Sequence, residues 1–102
     1  MTFGIVFDVA APIDAYDALH AEVGRRSGGR ADGMLLHVGR ETPGGFEVLE
    51  VWESRDQFDR FTAEVVGPAL AQLPDGTLPT TEPVVAEFEP RGLIVPAAHL
   101  VS

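Results

Sequence analysis

From Thr2 to Val9 the chain alternates, with Phe3, Ile5, Phe7 and Val9 on one side and Gly4, Val6 and Asp8 on the other. A period of two marks a strand, whose successive side chains point to opposite faces. Ala10-Ala11-Pro12 ends the alternation and the period lengthens. From Ile13 to about Val23 the apolar side is Ile13, Tyr16, Leu19, His20 and Val23, which is helical spacing. Asp14 and Asp17 stand in its early turns, where the helix dipole favours acids. Gly24 and then Ser27-Gly28-Gly29-Arg30 predict that the helix ends in a loop.

Met34 to Arg40 and Phe46 to Glu53 predict two more strands, joined into a hairpin by Thr42-Pro43-Gly44-Gly45. Ser54-Arg55-Asp56-Gln57 has the form of a capping box, which satisfies free amides at a helix start. The helix that follows turns Phe58, Phe61 and Val65 inward. Its wet side pairs Arg55 with Asp59, Asp56 with Arg60, and Arg60 with Glu64 at i,i+4 spacing. Gly67-Pro68 interrupts it, Ala69 to Leu73 adds a turn or two, and Pro74 to Pro83 is loop. Val84 to Glu89 predicts a fourth strand, and Pro90-Arg91-Gly92 leads into an apolar extension of about 92–102. No repeat or linker divides the chain, so residues 1–102 are expected to form one domain.

The predicted order is β-α-β-β-α-β, a ferredoxin-like α+β fold: a four-stranded antiparallel sheet with two helices on one face. Strand 3 carries Phe46, Val48 and Trp52 on one side and Leu49 and Val51 on the other, so both faces call for burial. A second copy of the chain is the simplest cover for the face without helices. The expectation is a homodimer, with two sheets facing each other as a dimeric α/β barrel around a small apolar molecule. The tail, with Leu93-Ile94-Val95 and Leu100-Val101, is expected to lie on the sheet edge or to cross to the partner.

Composition narrows the functions. There is no cysteine, which excludes disulfides, thiolate metal sites and cysteine nucleophiles. Sixteen acids against seven arginines give a net charge of −9. Such a chain repels phosphate backbones and anionic lipids, so neither nucleic acid nor membrane is an expected partner. The N-terminus has no basic region before an apolar stretch, and no apolar run approaches the ~20 residues of a membrane span. The cytoplasm is the expected location. Neither the three histidines nor any acidic cluster has metal-ligand spacing, and there is no glycine-rich phosphate loop. Metal and organic cofactor are both expected to be absent.

Candidate chemistry comes from the hairpin. If Thr42 to Gly45 is a four-residue turn, Glu41 pairs with Phe46, Gly39 with Val48, His37 with Glu50, and Leu35 with Trp52. His37, Glu50 and Trp52 then share a face with Leu35, Phe46 and Val48. Met34, Leu36, Val38, Leu49 and Val51 would turn to the helices. The expectation is one imidazole and one carboxylate in an otherwise apolar barrel interior. A buried carboxylate needs a partner, and a cross-strand histidine can be one. The pair can be structural, or it can carry a proton near neutral pH. His37 and Glu50 are therefore the candidate catalytic residues. Trp52, Val48, Leu35 and Phe46, with Tyr16 and Phe61 from the helices, form the candidate substrate-binding wall. Trp52 has a plainer role as buried area. Tyr16 is either core with its hydroxyl at the rim or a pocket-reaching phenol. His20 edges the buried stripe of the first helix, Asp8 is solvated, and His99 is exposed in the tail.

The stretch Gly45-Phe46-Glu47-Val48-Leu49-Glu50-Val51-Trp52-Glu53-Ser54, running into Arg55-Asp56-Gln57-Phe58-Asp59-Arg60-Phe61, resembles the strand-3/helix-2 signature of the antibiotic biosynthesis monooxygenase-like proteins. These are dimeric α/β barrels, and the element order over nearly the whole chain agrees with theirs. The superfamily includes cofactor-independent quinone-forming monooxygenases, haem-degrading enzymes, polyketide cyclases, isomerases and members with no known activity. In the cofactor-independent monooxygenases a strand-3 tryptophan lines the pocket, with an asparagine four residues before it. Trp52 matches the tryptophan, and Val48 stands at the asparagine position. The haem-degrading relatives use an asparagine and a helix-2 histidine, where this chain has Phe58, Phe61 and Thr62, so the resemblance does not extend to haem. It implies an enzyme acting on an apolar, aromatic or polyketide-like metabolite without cofactor. As an oxygenase, a base would remove a phenol or enol proton and the carbanion would react with oxygen. As a cyclase or isomerase, the His37–Glu50 pair would only move protons. A non-catalytic small-molecule-binding dimer is the alternative.

Overall fold

The computed structural model describes residues 2–98 and 100–101. The alternating N-terminal run forms β1 (Phe3–Val9), followed by α1 (Ile13–Ser27), the hairpin β2 (Met34–Thr42) and β3 (Gly45–Trp52), then α2 (Arg55–Phe61). A π-helical segment, Thr62–Val66, joins α2 to α3 (Gly67–Gln72), and β4 (Val84–Phe88) completes the sheet. The strand order is β2-β3-β1-β4, and all three pairings are antiparallel. This is the ferredoxin-like arrangement expected from the element order. No helix among the described residues is long and apolar enough to cross a membrane.

The helices cover the opposite face from the one expected. Phe3, Ile5 and Phe7 of β1 stand in register with Trp52, Glu50 and Val48 of β3. Phe58 of α2 lies 5.4 Å from Phe3 and 5.8 Å from Trp52 between ring centroids, and Tyr16 of α1 lies 5.7 Å from Phe46. The face that carries His37, Glu50 and Trp52 is thus the helix-covered one. Leu36, Val38, Leu49 and Val51, expected beneath the helices, belong to the open face. The cause is size. The helices bring bulky aromatics, and the broad apolar counter-surface of Phe3, Ile5, Phe7, Phe46 and Trp52 offers them more area than Gly4, Val6 and Ala86 on the other face.

Two helix boundaries also differ. α1 runs through Gly24 to Ser27 and stops at Gly28, whose φ of 66° is the left-handed conformation that glycine adopts without penalty. Arg25 and Arg26 occupy the last turn, where cations complement the helix dipole. Gly67-Pro68 does not break the second helical run. A proline ring crowds the carbonyl four residues back and has no N–H to donate. The chain widens ahead of it instead, and Gly67 N–H reaches five residues back to Thr62 O. Ser54 caps α2 as expected, its hydroxyl accepting Gln57 N–H at 3.3 Å. The Gln57 side chain returns to that hydroxyl rather than to the backbone, taking its proton at 2.8 Å.

Among the described residues, the tail adds no strand to either edge of the main sheet. β5 (Ile94–Val95) and β6 (Leu100–Val101) pair with each other across a 3₁₀ turn at Pro96–Ala98. Leu93 is buried, while Ile94 is exposed. His99 lies outside the described residues.

Candidate functional site

The turn at Thr42 to Gly45 sets the hairpin register as expected: Glu41 faces Phe46, Gly39 faces Val48, and His37 faces Glu50. His37 Nδ1 lies 2.7 Å from Glu50 Oε2. The other Glu50 oxygen accepts the Trp52 indole N–H at 3.0 Å. Both carboxylate oxygens are therefore engaged, which is what allows this side chain to sit only 12% exposed. Trp52 is completely buried and packs against Phe58 and Phe61, the latter at 5.4 Å.

Leu35 is not opposite Trp52. Met34 takes that place, and Leu35 is the extra residue of a bulge between Met34 and Leu36. The extra residue lets the chain re-pair one step further on, where Gly33 O accepts Glu53 N–H at 2.7 Å. Phe46 is 3% exposed and clusters with Ala11 and Ala15, with Val48 packed against them. These two residues form the floor of the site rather than an open wall.

Tyr16 brings α1 into the site. Its ring lies over Gly39, where a Cβ would fall 2.4 Å from the Tyr16 Cζ. The hydroxyl then reaches His37 Nε2 at 2.7 Å. Tyr16, His37 and Glu50 thus form a chain in which the carboxylate fixes the imidazole and the imidazole addresses a hydroxyl. With Glu50 ionised, His37 Nδ1–H donates to it, and Nε2 is left to accept the phenol proton. The array sits at β2, an edge strand, and His37 keeps 24% of its side-chain exposure.

His20, assigned from sequence to the edge of the buried stripe, is exposed, and its Nδ1 lies 3.3 Å from the Tyr16 hydroxyl. The available signal was its i+4 spacing from Tyr16, which stacks the two rings at 5.3 Å. A separate cleft of about 260 Å³ opens beside the C-terminal end of α1, lined by Arg26, Arg30, Asp32, Phe61, Glu64 and Val65 among others. Phe61 lines this cleft and also contacts Trp52, at 5.4 Å between ring centroids.

Burial, and then the charges of Asp17 and Glu50, hold the Tyr16 phenol above its ordinary value of 10.0. The hydroxyl therefore remains a proton donor throughout the neutral range. A group that keeps its proton more tightly when folded contributes stability below its unfolded value, and that contribution is lost as pH rises through the folded value. Tyr16 is the only tyrosine, so the phenolate ultraviolet band reports it alone. Its titration midpoint is expected above 10.0 and should fall in Glu50→Gln, which removes one of the raising charges. Wild-type stability should drop more steeply than that of Tyr16→Phe as pH climbs from 10.0 up to this midpoint.

Neither a family model nor a curated protein sequence matches the chain. Solved structures do. A Chloroflexus aurantiacus protein provisionally named an antibiotic biosynthesis monooxygenase superposes with a TM-score of 0.66 at 22% identity, covering 90% of this chain and 95% of its own. SnoaB, a cofactor-independent oxygenase from Streptomyces nogalater, superposes at 0.60 with 21% identity, covering 88% of this chain and 91% of its own. The chain has the fold of the antibiotic biosynthesis monooxygenases. Rv0793 from Mycobacterium tuberculosis shares it too, at a TM-score of 0.64 and 22% identity over 88% of this chain and 95% of its own. The resemblance carried by Gly45 to Phe61 therefore holds at the level of fold. At these identities the likeness does not extend to the chemistry of individual residues.

Proposed function

We propose that the protein is a cofactor-independent enzyme that deprotonates an acidic phenol or enol of an apolar, aromatic or polyketide-like molecule and exposes the resulting carbanion to oxygen. The observation that carries this is the Tyr16–His37–Glu50 chain, with 2.7 Å at each link. A carboxylate that orients a histidine, which in turn addresses a hydroxyl, is an arrangement that recurs in proton-moving sites. His37 is the base, Glu50 orients it, and Tyr16 is the hydroxyl that meets the substrate. As the substrate's proton arrives on the Tyr16 oxygen, the phenol's own proton moves to His37 Nε2. No free phenolate is formed, in keeping with the raised pKa of Tyr16. One oxygen atom of O₂ then becomes the carbonyl of the product while the other leaves as water, so a methylene carbon and O₂ yield a ketone and H₂O. SnoaB, a cofactor-independent oxygenase by name, lends the fold as support.

A cofactor-free cyclase or isomerase is the second reading, favoured by Val48 standing where the resemblance places an asparagine. An oxygen electrode separates the two. With a panel of polycyclic phenols in metal-chelated buffer, the oxygenase should consume one O₂ per product. Turnover without oxygen uptake, with solvent deuterium appearing in the product, would select the cyclase or isomerase. Binding without turnover of any member would reduce the site to a binding pocket.

The working unit is proposed to be a homodimer. On the open face, Val38, Val84 and Phe88 are 45%, 69% and 38% exposed in the single chain, near Val6, Leu49 and Ala86. An apolar sheet face of this kind calls for a cover. Sedimentation should report about twice the 10.9 kDa of one chain. A folded monomer at micromolar concentration would contradict the dimer.

A further inference from the structure

Tyr16 has one hydroxyl proton and two imidazoles to share it with. Its oxygen lies 2.7 Å from His37 Nε2 and 3.3 Å from His20 Nδ1. The two imidazole rings are 5.4 Å apart between centroids, and both stack on the phenol. A base that accepts protons must also return them to solvent. At His37 both ring nitrogens are occupied, one by Glu50 and the other by Tyr16. Beyond Glu50 the path closes on the indole of fully buried Trp52. Beyond Tyr16 it ends at His20, which is exposed.

We propose that Tyr16 and His20 form the proton route between His37 and solvent, an inference that rests on the assignment of His37 as the base. With His37 neutral, the phenol donates to Nε2 and accepts from His20 Nδ1–H. When His37 is protonated, its Nε2–H donates to the phenol oxygen; exposed His20 gives its Nδ1 proton to water and takes one from water at Nε2, and the phenol turns to donate to the freed Nδ1. To reset, the proton on His37 Nε2 passes to the Tyr16 oxygen while the phenol proton passes to His20 Nδ1. His20 then releases its Nε2 proton to water. One proton has entered at His37 and one has left at His20, and both rings are again neutral with Nδ1 protonated. His20 is a relay residue here and does not touch the substrate.

The consequence is that the two histidines sense each other through the direction of a single O–H bond. Asp17 and Glu50 are the carboxylates whose charge reaches Tyr16, and both are retained in the variants used below. Ring-nitrogen NMR of isotope-labelled histidine, recorded on the full chain across a pH series, reads this directly. In the wild type, His20 and His37 should each show two inflections, one for its own protonation and one for its partner's. Tyr16→Phe keeps the aromatic ring in the stack but removes the hydroxyl, and should leave one inflection in each curve. His20→Gln, at an exposed position, should remove the second inflection from His37. If the second inflection is absent in the wild type, or survives in Tyr16→Phe, the route is overturned. The resting tautomer of His37 tests the base assignment separately. A proton on Nδ1 without coupling to His20 overturns only the route, whereas a proton on Nε2 overturns the base assignment with it.

Discussion

Replacing Trp52 with alanine should lower the free energy of unfolding by about 3–5 kcal/mol, the largest stability loss expected from any single substitution in the site. The side chain is fully buried between β3 and α2 and touches Phe58 and Phe61. Its removal leaves a cavity that neighbouring rings fill only in part. It also strips Glu50 Oε1 of its donor. Trp52→Phe separates the two effects. It restores most of the volume but not the N–H, and should cost about 1–3 kcal/mol, the penalty for a buried group left unpaired. Denaturant unfolding followed by circular dichroism makes the comparison, because Trp52 is the only tryptophan and its fluorescence is lost in both variants. Equal losses would mean that the restored volume adds nothing, and a Trp52→Phe variant as stable as the wild type would mean that the Glu50 contact adds nothing.

The largest effect on activity should come from the His37–Glu50 pair. Glu50→Gln keeps the shape and can still hydrogen-bond, but it removes the charge that stabilises an imidazolium. General acid–base catalysis by a positioned side chain contributes about 10²–10⁴-fold, so His37→Gln should lower kcat by a factor in that range. Glu50→Gln should lower it in the same direction, because the imidazolium that forms on His37 then has no carboxylate charge beside it. Folding should suffer less. Glu50→Ala is expected to cost about 1–3 kcal/mol and Glu50→Gln less than that. Steady-state kinetics on whichever panel member turns over, run beside unfolding curves, separates the two quantities. Wild-type turnover in both glutamine variants would make the pair structural.

Much of this site was legible from local chemistry. The turn Thr42-Pro43-Gly44-Gly45 sets the count of residues between the strands, and with it the meeting of His37 and Glu50. Ser54 and Gln57 mark the start of α2 because capping is decided within one turn. What was not legible depends on which elements meet across the fold. Strand 3 is apolar on both faces and by itself does not say which one the helices cover. The better guide was β1, where Phe3, Ile5, Phe7 and Val9 oppose Gly4, Val6 and Asp8, a contrast that matches the aromatic faces of the helices. The bulge at Leu35 leaves no mark in a run of Met34-Leu35-Leu36, since leucine suits a pleat and a bulge alike. Tyr16 reaching His37 depends on Gly39, whose missing side chain makes room for the ring, and that pairing joins residues from distant parts of the chain.

The proposed site lies between α1 and the β2–β3 hairpin. A crystal structure of the protein with a phenolic panel member bound tests it most directly. The predicted result is a ligand hydroxyl within about 3.2 Å of the Tyr16 oxygen or of His37 Nε2, with His37 and Glu50 still paired. A ligand seated instead in the cleft beside Arg26 and Arg30, touching neither Tyr16 nor His37, would contradict it.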